Sequence, residues 1–375
     1  ACGSGSSTVF VTCICRRNAT EGHFYMHGKS LRCLRRRIDA LKGLQSRLLW
    51  PPISQFRAHG ETYSLPYSPA DERVHASESL LCYLAGFFDG DGCVSRNHRV
   101  FNLRVVQSCM HAEILVLFAE VFGGQIFRHS NGKGACRPSL VWKVAKGEDV
   151  RKAAAQLAER SFVKKQQLLL AAEQPSSTCT PEDQKHALAA AKKQEDHAAL
   201  GCSWPFIAGF FDAEGCISLH PTRRRLCMSF SQNTDTVLRW IAAFWQHDMD
   251  SMPQLHHRAD GVFELLVKRK HDVHVLLRRL LDNGLLTKRR RALLALGYGD
   301  ISFLDIRHGL SLLSGNQGRY QKLTAEGTKR AERLASLQRS ATYLGSAGMV
   351  EKSRERLEEL TALRSQHEIS NASDI

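Results

Sequence analysis

Hydrophobic and polar residues follow the same order in two stretches of the chain, residues 77–174 and residues 203–300. Each stretch starts with an apolar helical run, continues with two strand-like arms, and returns to a helical period before a second pair of strand-like arms. Two further helical segments close each stretch. The pattern therefore predicts two similar units of the α+β class, joined by a charged, Ala-rich and partly helical linker over residues 175–202.

A nine-residue motif opens both units. LAGFFDGDG occupies positions 84–92, and IAGFFDAEG occupies positions 207–215. Small side chains at the same places in both copies would let two helices pack closely against each other. These interface residues are Ala85, Gly86, Ala208 and Gly209.

The motif pair also predicts a metal site. We expect Gly92 and Gly215 to end each helix in the left-handed conformation, so that Asp91 and Glu214 emerge close together at the same end. Two close carboxylates repel each other unless a cation or a shared proton lies between them.

Further pairs of residues extend the repeat beyond the motif. Their sequence separations are nearly constant, which indicates a duplication and a pseudo-two-fold arrangement. The pairs are Gly86 and Gly209, Lys146 and Arg269, and Lys165 and Lys288, each 123 residues apart, with Gln107 and Gln232 separated by 125.

The two motifs resemble those of the LAGLIDADG homing endonucleases in their single-chain, two-motif form. The resemblance implies two pseudo-symmetric αββαββα repeats, a saddle of eight strands that binds DNA, and a central two-helix interface. It further implies a monomeric enzyme that cuts both strands of a specific double-stranded DNA site with Mg²⁺ or Mn²⁺, which oxygen-only ligands favour.

The resemblance also assigns roles to individual residues. The carboxylates of Asp91 and Glu214 would bind the metal together with the backbone carbonyls of Gly90 and Ala213. Residues at the strand ends would order water around the scissile phosphates; these are Gln107, Gln232 and Lys146, with Arg269 standing where the first half has lysine. Because arginine does not release a proton, Arg269 would stabilise charge without performing the whole task of the lysine. Asp89 and Asp212 are expected to serve the helix ends.

One face of the first hairpin in each unit is rich in side chains that can reach base edges in a DNA groove. In the first unit the set is Ser95, Asn97, Arg99, Asn102 and Arg104; in the second it is Ser218, His220, Thr222, Arg225 and Cys227. The opposite parity of the returning strand is apolar at Phe101, Leu103 and Val105, and it is expected to pack on helices.

Composition narrows the class of partner. The formal net charge is +15 over 375 residues, which favours an anionic polymer, and no apolar run is long enough to span a membrane. Twelve cysteines are present without the spacing of a zinc module, so free thiols are expected.

The regions outside the repeats are less informative. Residues 1–76 are basic and lack Asp or Glu before Glu21, which fits either the remnant of an organellar (chloroplast or mitochondrial) transit sequence or a basic arm on nucleic acid. Prolines and Gly60 predict an irregular connector between residues 51 and 69. Residues 301–375 form a charged, mostly helical tail.

Two other functions stay open at this point. LAGLIDADG proteins also include RNA maturases, which assist intron splicing without cleavage, so intron RNA is an alternative partner. A transcription regulator built on a decayed nuclease is the weaker alternative, because residues 301–375 show no convincing helix-turn-helix.

Overall fold

The structure is a computed structural model, and it describes residues 36, 39, 50–69, 75–97, 100–132, 137–173, 180–193, 202–220, 224–249, 253–313 and 325–373. Within these ranges the chain folds into two αββαββα units flanked by additional elements. The predicted α+β class with two repeats and a central helix pair is confirmed.

A small hairpin precedes the first unit. Its strands are β1 (Gln55–Ala58) and β2 (Glu61–Ser64). The prediction of an irregular connector here was wrong, because the prolines flank the hairpin and do not interrupt it. His59 and Gly60 both have positive φ (51° and 86°), the backbone combination that a tight two-residue turn between antiparallel strands requires.

The first unit follows the predicted order of elements, with a short 3₁₀ turn at Cys109–His111. Its elements are α1 (Glu78–Asp91), β3 (Gly92–Asn97), β4 (Val100–Ser108), α2 (Glu113–Phe122), β5 (Gln125–Ser130), β6 (Ser139–Val144), α3 (Gly147–Ala158) and α4 (Lys165–Ala172). Helix α1 starts where Ser77 accepts a hydrogen bond from the Leu80 amide.

The second unit repeats this order after helix α5 (Pro181–Ala191) of the linker, which begins with a capping box between Thr180 and Asp183. Its elements are α6 (Trp204–Glu214), β7 (Gly215–His220), β8 (Arg225–Gln232), α7 (Thr236–Met249), β9 (Gln254–His257), β10 (Phe263–Val267), α8 (Lys270–Asp282) and α9 (Arg289–Leu296). Three helices follow: α10 (Phe303–Leu312), α11 (Ala325–Ser346) and α12 (Val350–Ser373).

Each unit builds one antiparallel sheet of four strands. The strand orders are β3-β4-β6-β5 and β7-β8-β10-β9, so the two sheets are topologically equivalent. Strand residues of one parity are buried under the helices, as predicted for Phe101, Leu103 and Val105. The hydrophobic core is continuous across both units.

The hairpin and the last helices extend this core architecture. Tyr67, just after β2, exchanges two backbone hydrogen bonds with Ile126 of β5, so the chain covers the outer edge of the first sheet. Helices α11 and α12 pack against each other, with an ion pair between Arg333 and Glu359. None of the helices in the described part of the chain is long and apolar enough to cross a membrane.

Candidate active site

The site begins with the contact between α1 and α6, which run side by side in the same direction. A Cβ atom on Gly86 would collide with the carbonyl oxygen of Phe206, and one on Gly209 would collide with that of Tyr83. The two backbones therefore touch, which only residues without a side chain permit. Ala85 and Ala208 are fully buried beside them, so all four predicted interface residues lie in the core.

The close approach continues to the helix ends. A Cβ on Gly90 would collide with the Ala213 side chain and lie 3.0 Å from Cγ of Glu214. The motif carboxylates consequently leave their helices next to each other. This juxtaposition follows from small residues at three successive levels of the interface.

The glycine that ends each motif was expected in the left-handed conformation, and this expectation was wrong. Gly92 has φ −71° and ψ 158°, and Gly215 has φ −75° and ψ 151°, which is extended backbone. Glycine is needed here because a Cβ would run into the ring of Phe88 or Phe211. The chain therefore passes directly from the helix into β3 or β7.

A glutamine at the end of a strand holds each motif carboxylate. Gln107 Nε2 donates a hydrogen bond of 2.6 Å to Asp91 Oδ2, and Gln232 bonds to Glu214. Gln107 and Gln232 lie on the helix-facing side of β4 and β8, close to the end of each strand. The structure thus brings together four of the predicted site residues.

The first aspartate of each motif organises a different segment. Asp89 is buried and accepts hydrogen bonds from Ser161 Oγ and from the backbone amides of residues 162–164. Asp212 accepts from Thr287 Oγ1, from the amides of residues 286–288, and from the Tyr83 hydroxyl at 2.7 Å. Because residues 161–164 wrap around Asp89 in this way, helix α4 starts only at Lys165.

A lysine in each of these segments caps the motif helix. Lys164 Nζ donates to the carbonyls of Phe88, Asp89 and Gly90, the last at 2.8 Å. Lys288 Nζ donates to the carbonyls of Phe211, Asp212 and Ala213, the last at 3.3 Å. The pairing of Lys165 with Lys288 was therefore wrong by one residue, since Lys164 is the structural counterpart.

These groups carry an excess of negative charge. The carboxylates of Asp89, Asp91, Asp212 and Glu214 face only the two ammonium groups of Lys164 and Lys288, so two negative charges among these six groups remain unbalanced. Burial raises the pKa of both carboxyls, and for Glu214 the neighbouring Asp91 raises it further. A bound cation would therefore stabilise the ionised carboxylate of each half.

Burial also lowers the pKa of the capping lysines. The pKa of Lys288 falls to about 8, against the opposing attraction of Asp212 and Asp91. The pKa of Lys164 is lowered as well, with Asp89, Asp91 and Glu214 opposing the shift. Both ammonium groups are thus held among carbonyls and carboxylates with little water around them.

Lys146 and Arg269 occupy equivalent positions. Each lies two residues after the end of β6 or β10 and directly before α3 or α8, with nearly identical backbone angles (φ −71° and −72°, ψ 130°). Both residues are exposed. Their placement agrees with the 123-residue separation, and their catalytic roles stay predictions.

The predicted DNA-facing sets fall on one face of each first hairpin. Ser95 pairs with Asn102 and donates a 2.7 Å hydrogen bond to it, while Arg104 pairs with Cys93 and is exposed. In the second sheet Ser218 pairs with Cys227, and His220 pairs with Arg225. Arg99 and Thr222 lie outside the described residues, and only the backbone of Asn97 and His220 is described.

The second hairpin of each unit adds residues to the same faces that sequence reasoning missed. Strand register places Gln125, Phe127 and Lys143 on this face of the first sheet, because Lys143 pairs with Arg104. In the second sheet Lys268, which directly follows β10, hydrogen-bonds to Gln254 at 3.0 Å. Strict alternation within β6 could have indicated Lys143 from the sequence.

The chain is similar to several proteins of known structure, although no protein-family model and no curated protein matches it. Among solved structures, a mutant of I-SmaMI is similar with a TM-score of 0.44 and 13% identity, covering 64% of this chain and 97% of that chain. I-AabMI, a LAGLIDADG meganuclease bound to uncleaved DNA, gives 0.43 and 15%, covering 64% and 96%. I-LtrWI, a LAGLIDADG homing endonuclease bound to target DNA, gives 0.41 and 13%, covering 65% and 95%.

The donor set can be tested against the predicted divalent ion. The described residues contain no group of three or more His, Cys, Asp or Glu side chains that could hold a metal. The available donors are two carboxylates and the carbonyls of Gly90 and Ala213, each of which keeps a lone pair besides the one bonded to lysine. An all-oxygen set with excess negative charge fits a hard cation such as Mg²⁺ or Mn²⁺.

Proposed function

We propose that the chain is a metal-dependent endonuclease that cuts both strands of one double-stranded DNA site as a monomer. The observation that carries the proposal is the meeting of Asp91 and Glu214 at the ends of α1 and α6, with an unbalanced negative charge. Two carboxylates from two equivalent halves provide one acidic group for each strand of a duplex.

The polar faces of the sheets support DNA as the substrate. They carry accessible arginine, lysine and serine side chains, among them Arg104, Lys143 and Ser218, the types that contact base edges and phosphates in a groove, whereas Asn102 is buried on the same face. The net charge of +15 adds a long-range attraction to a polyanion. The carboxylates lie at the ends of α1 and α6, where β3 and β7 begin.

In the proposed reaction, water attacks phosphorus and the bond to the leaving oxygen breaks. A divalent ion held by Asp91, Glu214 and the carbonyls of Gly90 and Ala213 would stabilise charge on the reacting oxygens. Gln107 fixes the Asp91 carboxylate through its 2.6 Å hydrogen bond.

The remaining proposed roles concern water and charge at each half-site. Gln232 fixes the Glu214 carboxylate through a hydrogen bond, as Gln107 fixes the carboxylate of Asp91. Lys146 would hold and relay a proton of ordered water in the first half. Arg269 would stabilise phosphate charge in the second half without releasing a proton.

The first test is cleavage of a random duplex library by the purified protein, with Mg²⁺ or with EDTA. Recovery of one long cut motif, lost on chelation, is the expected result. Absence of cleavage by folded protein, together with tighter binding of structured intron RNA than of duplex DNA at equal salt, would support the maturase alternative.

The second test replaces the carboxylates by their neutral isosteres. Asp91→Asn and Glu214→Gln should abolish double-strand cleavage and leave target binding intact. Each isostere keeps the size of the side chain and adds no buried charge, so each variant should be about as stable as the metal-free wild type. Glu355→Gln in the exposed tail is the matched control and should change neither property. Parallel loss of stability and binding would show that the carboxylates are structural.

A further inference from the structure

One cation near the site takes no part in the network described above. Arg291 lies in the first turn of α9, one helical turn after Lys288, and its side chain reaches strand β7. Its Nη2 donates a 3.1 Å hydrogen bond to the Ile217 carbonyl. The charge lies near Cys216, the exposed residue that follows the motif glycine.

The charge of Arg291 is not compensated within the described part of the chain. Its guanidinium forms no ion pair with a described carboxylate, and its buried Nε has no hydrogen-bond partner there. Lys288 is close enough to repel it. A half-buried guanidinium with spare donors favours an external anion.

The position faces the proposed substrate. Cys216 pairs with Ser229 in the sheet, on the same face as Ser218 and Cys227. Strand β7 is the edge strand of the second sheet, so the guanidinium lies at a sheet edge and not under its centre. Because Nε is buried, a backbone phosphate of a duplex lying on that face would meet the terminal Nη1 and Nη2 groups of Arg291, and arginine can bind phosphate through two parallel hydrogen bonds.

The first half has no such cation at this position. The capping lysines Lys164 and Lys288 are equivalent, so the residue three positions further on is Gln167 in the first half and Arg291 in the second. Gln167 is buried and neutral. The two halves therefore differ by one positive charge at this position, although their capping lysines are equivalent.

We propose that Arg291 binds a DNA backbone phosphate in the second half-site, where the first half-site has no equivalent contact. The inference rests on the proposed function. It makes Arg291 a substrate-binding residue that anchors the duplex asymmetrically, in addition to the pseudo-symmetric carboxylates.

The test measures binding of the duplex recovered from the library, in EDTA so that no cleavage occurs, at several salt concentrations. R291Q should weaken binding about five- to tenfold at low salt and reduce the slope of log affinity against log salt by about 0.9, as expected for the loss of one phosphate contact. R291K should restore part of the affinity. R354Q removes the same charge from an exposed ion pair in α12 and should leave both quantities unchanged.

A set of duplexes with one neutral methylphosphonate each locates the contact. Wild type should lose affinity at one phosphate of one half-site, with no symmetric counterpart, and R291Q should be insensitive to that substitution. An equally sensitive phosphate in the other half-site would overturn the asymmetry.

Two outcomes would overturn the role of Arg291 alone, and a third would also refute the proposed function. Unchanged affinity and salt slope in R291Q would overturn the role of Arg291 alone. A lowered thermal midpoint with unchanged DNA affinity would identify Arg291 as structural and likewise overturn it. Failure of wild type to recover any duplex would refute the proposed function and this inference together.

Discussion

The hydroxyl of Tyr83 provides a stringent test of how the two halves are joined. Tyr83 belongs to α1 and is buried, yet its hydroxyl donates a 2.7 Å hydrogen bond to Asp212 of α6. Burial and the negative charge of Asp212 raise the pKa of Tyr83 well above its ordinary value, so the hydroxyl stays a donor throughout the accessible pH range. Tyr83→Phe removes this donor and creates no cavity.

The expected loss follows from the environment of Asp212. A buried hydrogen bond to a charged group contributes about 1.5 to 3 kcal/mol to stability. Asp212 keeps four other donors, namely Thr287 Oγ1 and three backbone amides, so the carboxylate is not left unsatisfied. We therefore expect the lower part of the range, about 1.5 to 2 kcal/mol.

Urea unfolding of the purified variant measures this loss as a lower midpoint with an unchanged slope. Tyr63→Phe is the matched control, because its hydroxyl donates to Glu61 over 3.3 Å at the surface, and it should cost less than about 0.5 kcal/mol. A loss below 0.5 kcal/mol in Tyr83→Phe would refute the account of Asp212 as a charge held by both halves.

Three further predictions concern the interface, the thiols and the unequal halves. Gly86→Ala should lower the free energy of unfolding by at least about 1 to 3 kcal/mol, seen as a lower urea midpoint, because the added methyl group meets the facing backbone; an unchanged midpoint would contradict the contact. Burial raises the pKa of Cys202 to about 12, so only about one molecule in 10⁴ carries the thiolate at pH 8. Iodoacetamide should then label exposed Cys216 in the folded protein and Cys202 only after unfolding, as peptide mass spectrometry would show. Arg269→Lys should speed cleavage of one strand more than the other, measured with separately labelled strands, and equal acceleration would refute a role confined to one half.

Local patterns in the sequence were sufficient to predict the repeated units and most of their elements. Helical and strand periodicity depends on neighbouring residues, so it can be read from the chain. The family resemblance named Gln107 and Gln232 as residues that order water, and the structure places them beside the motif carboxylates, while their role toward water stays a prediction.

Tertiary structure alone decided the electrostatics of the site. The bonds of Lys164 and Lys288 to the helix ends join residues 74 to 77 positions apart, and nothing in the local sequence distinguishes them from neighbouring basic residues such as Lys165 or Arg289. The position of Arg291 away from the described carboxylates has the same origin, because it depends on three-dimensional packing.

Gly92 and Gly215 show most clearly what the sequence determines and what only the packed structure decides. The sequence determined that Gly92 and Gly215 lie at the junction of helix and strand, while the wrong backbone conformation was expected from the usual role of glycine after a helix. The rings of Phe88 and Phe211 occupy the space that a Cβ would need, and only the packed structure shows that crowding, not a left-handed turn, requires glycine there.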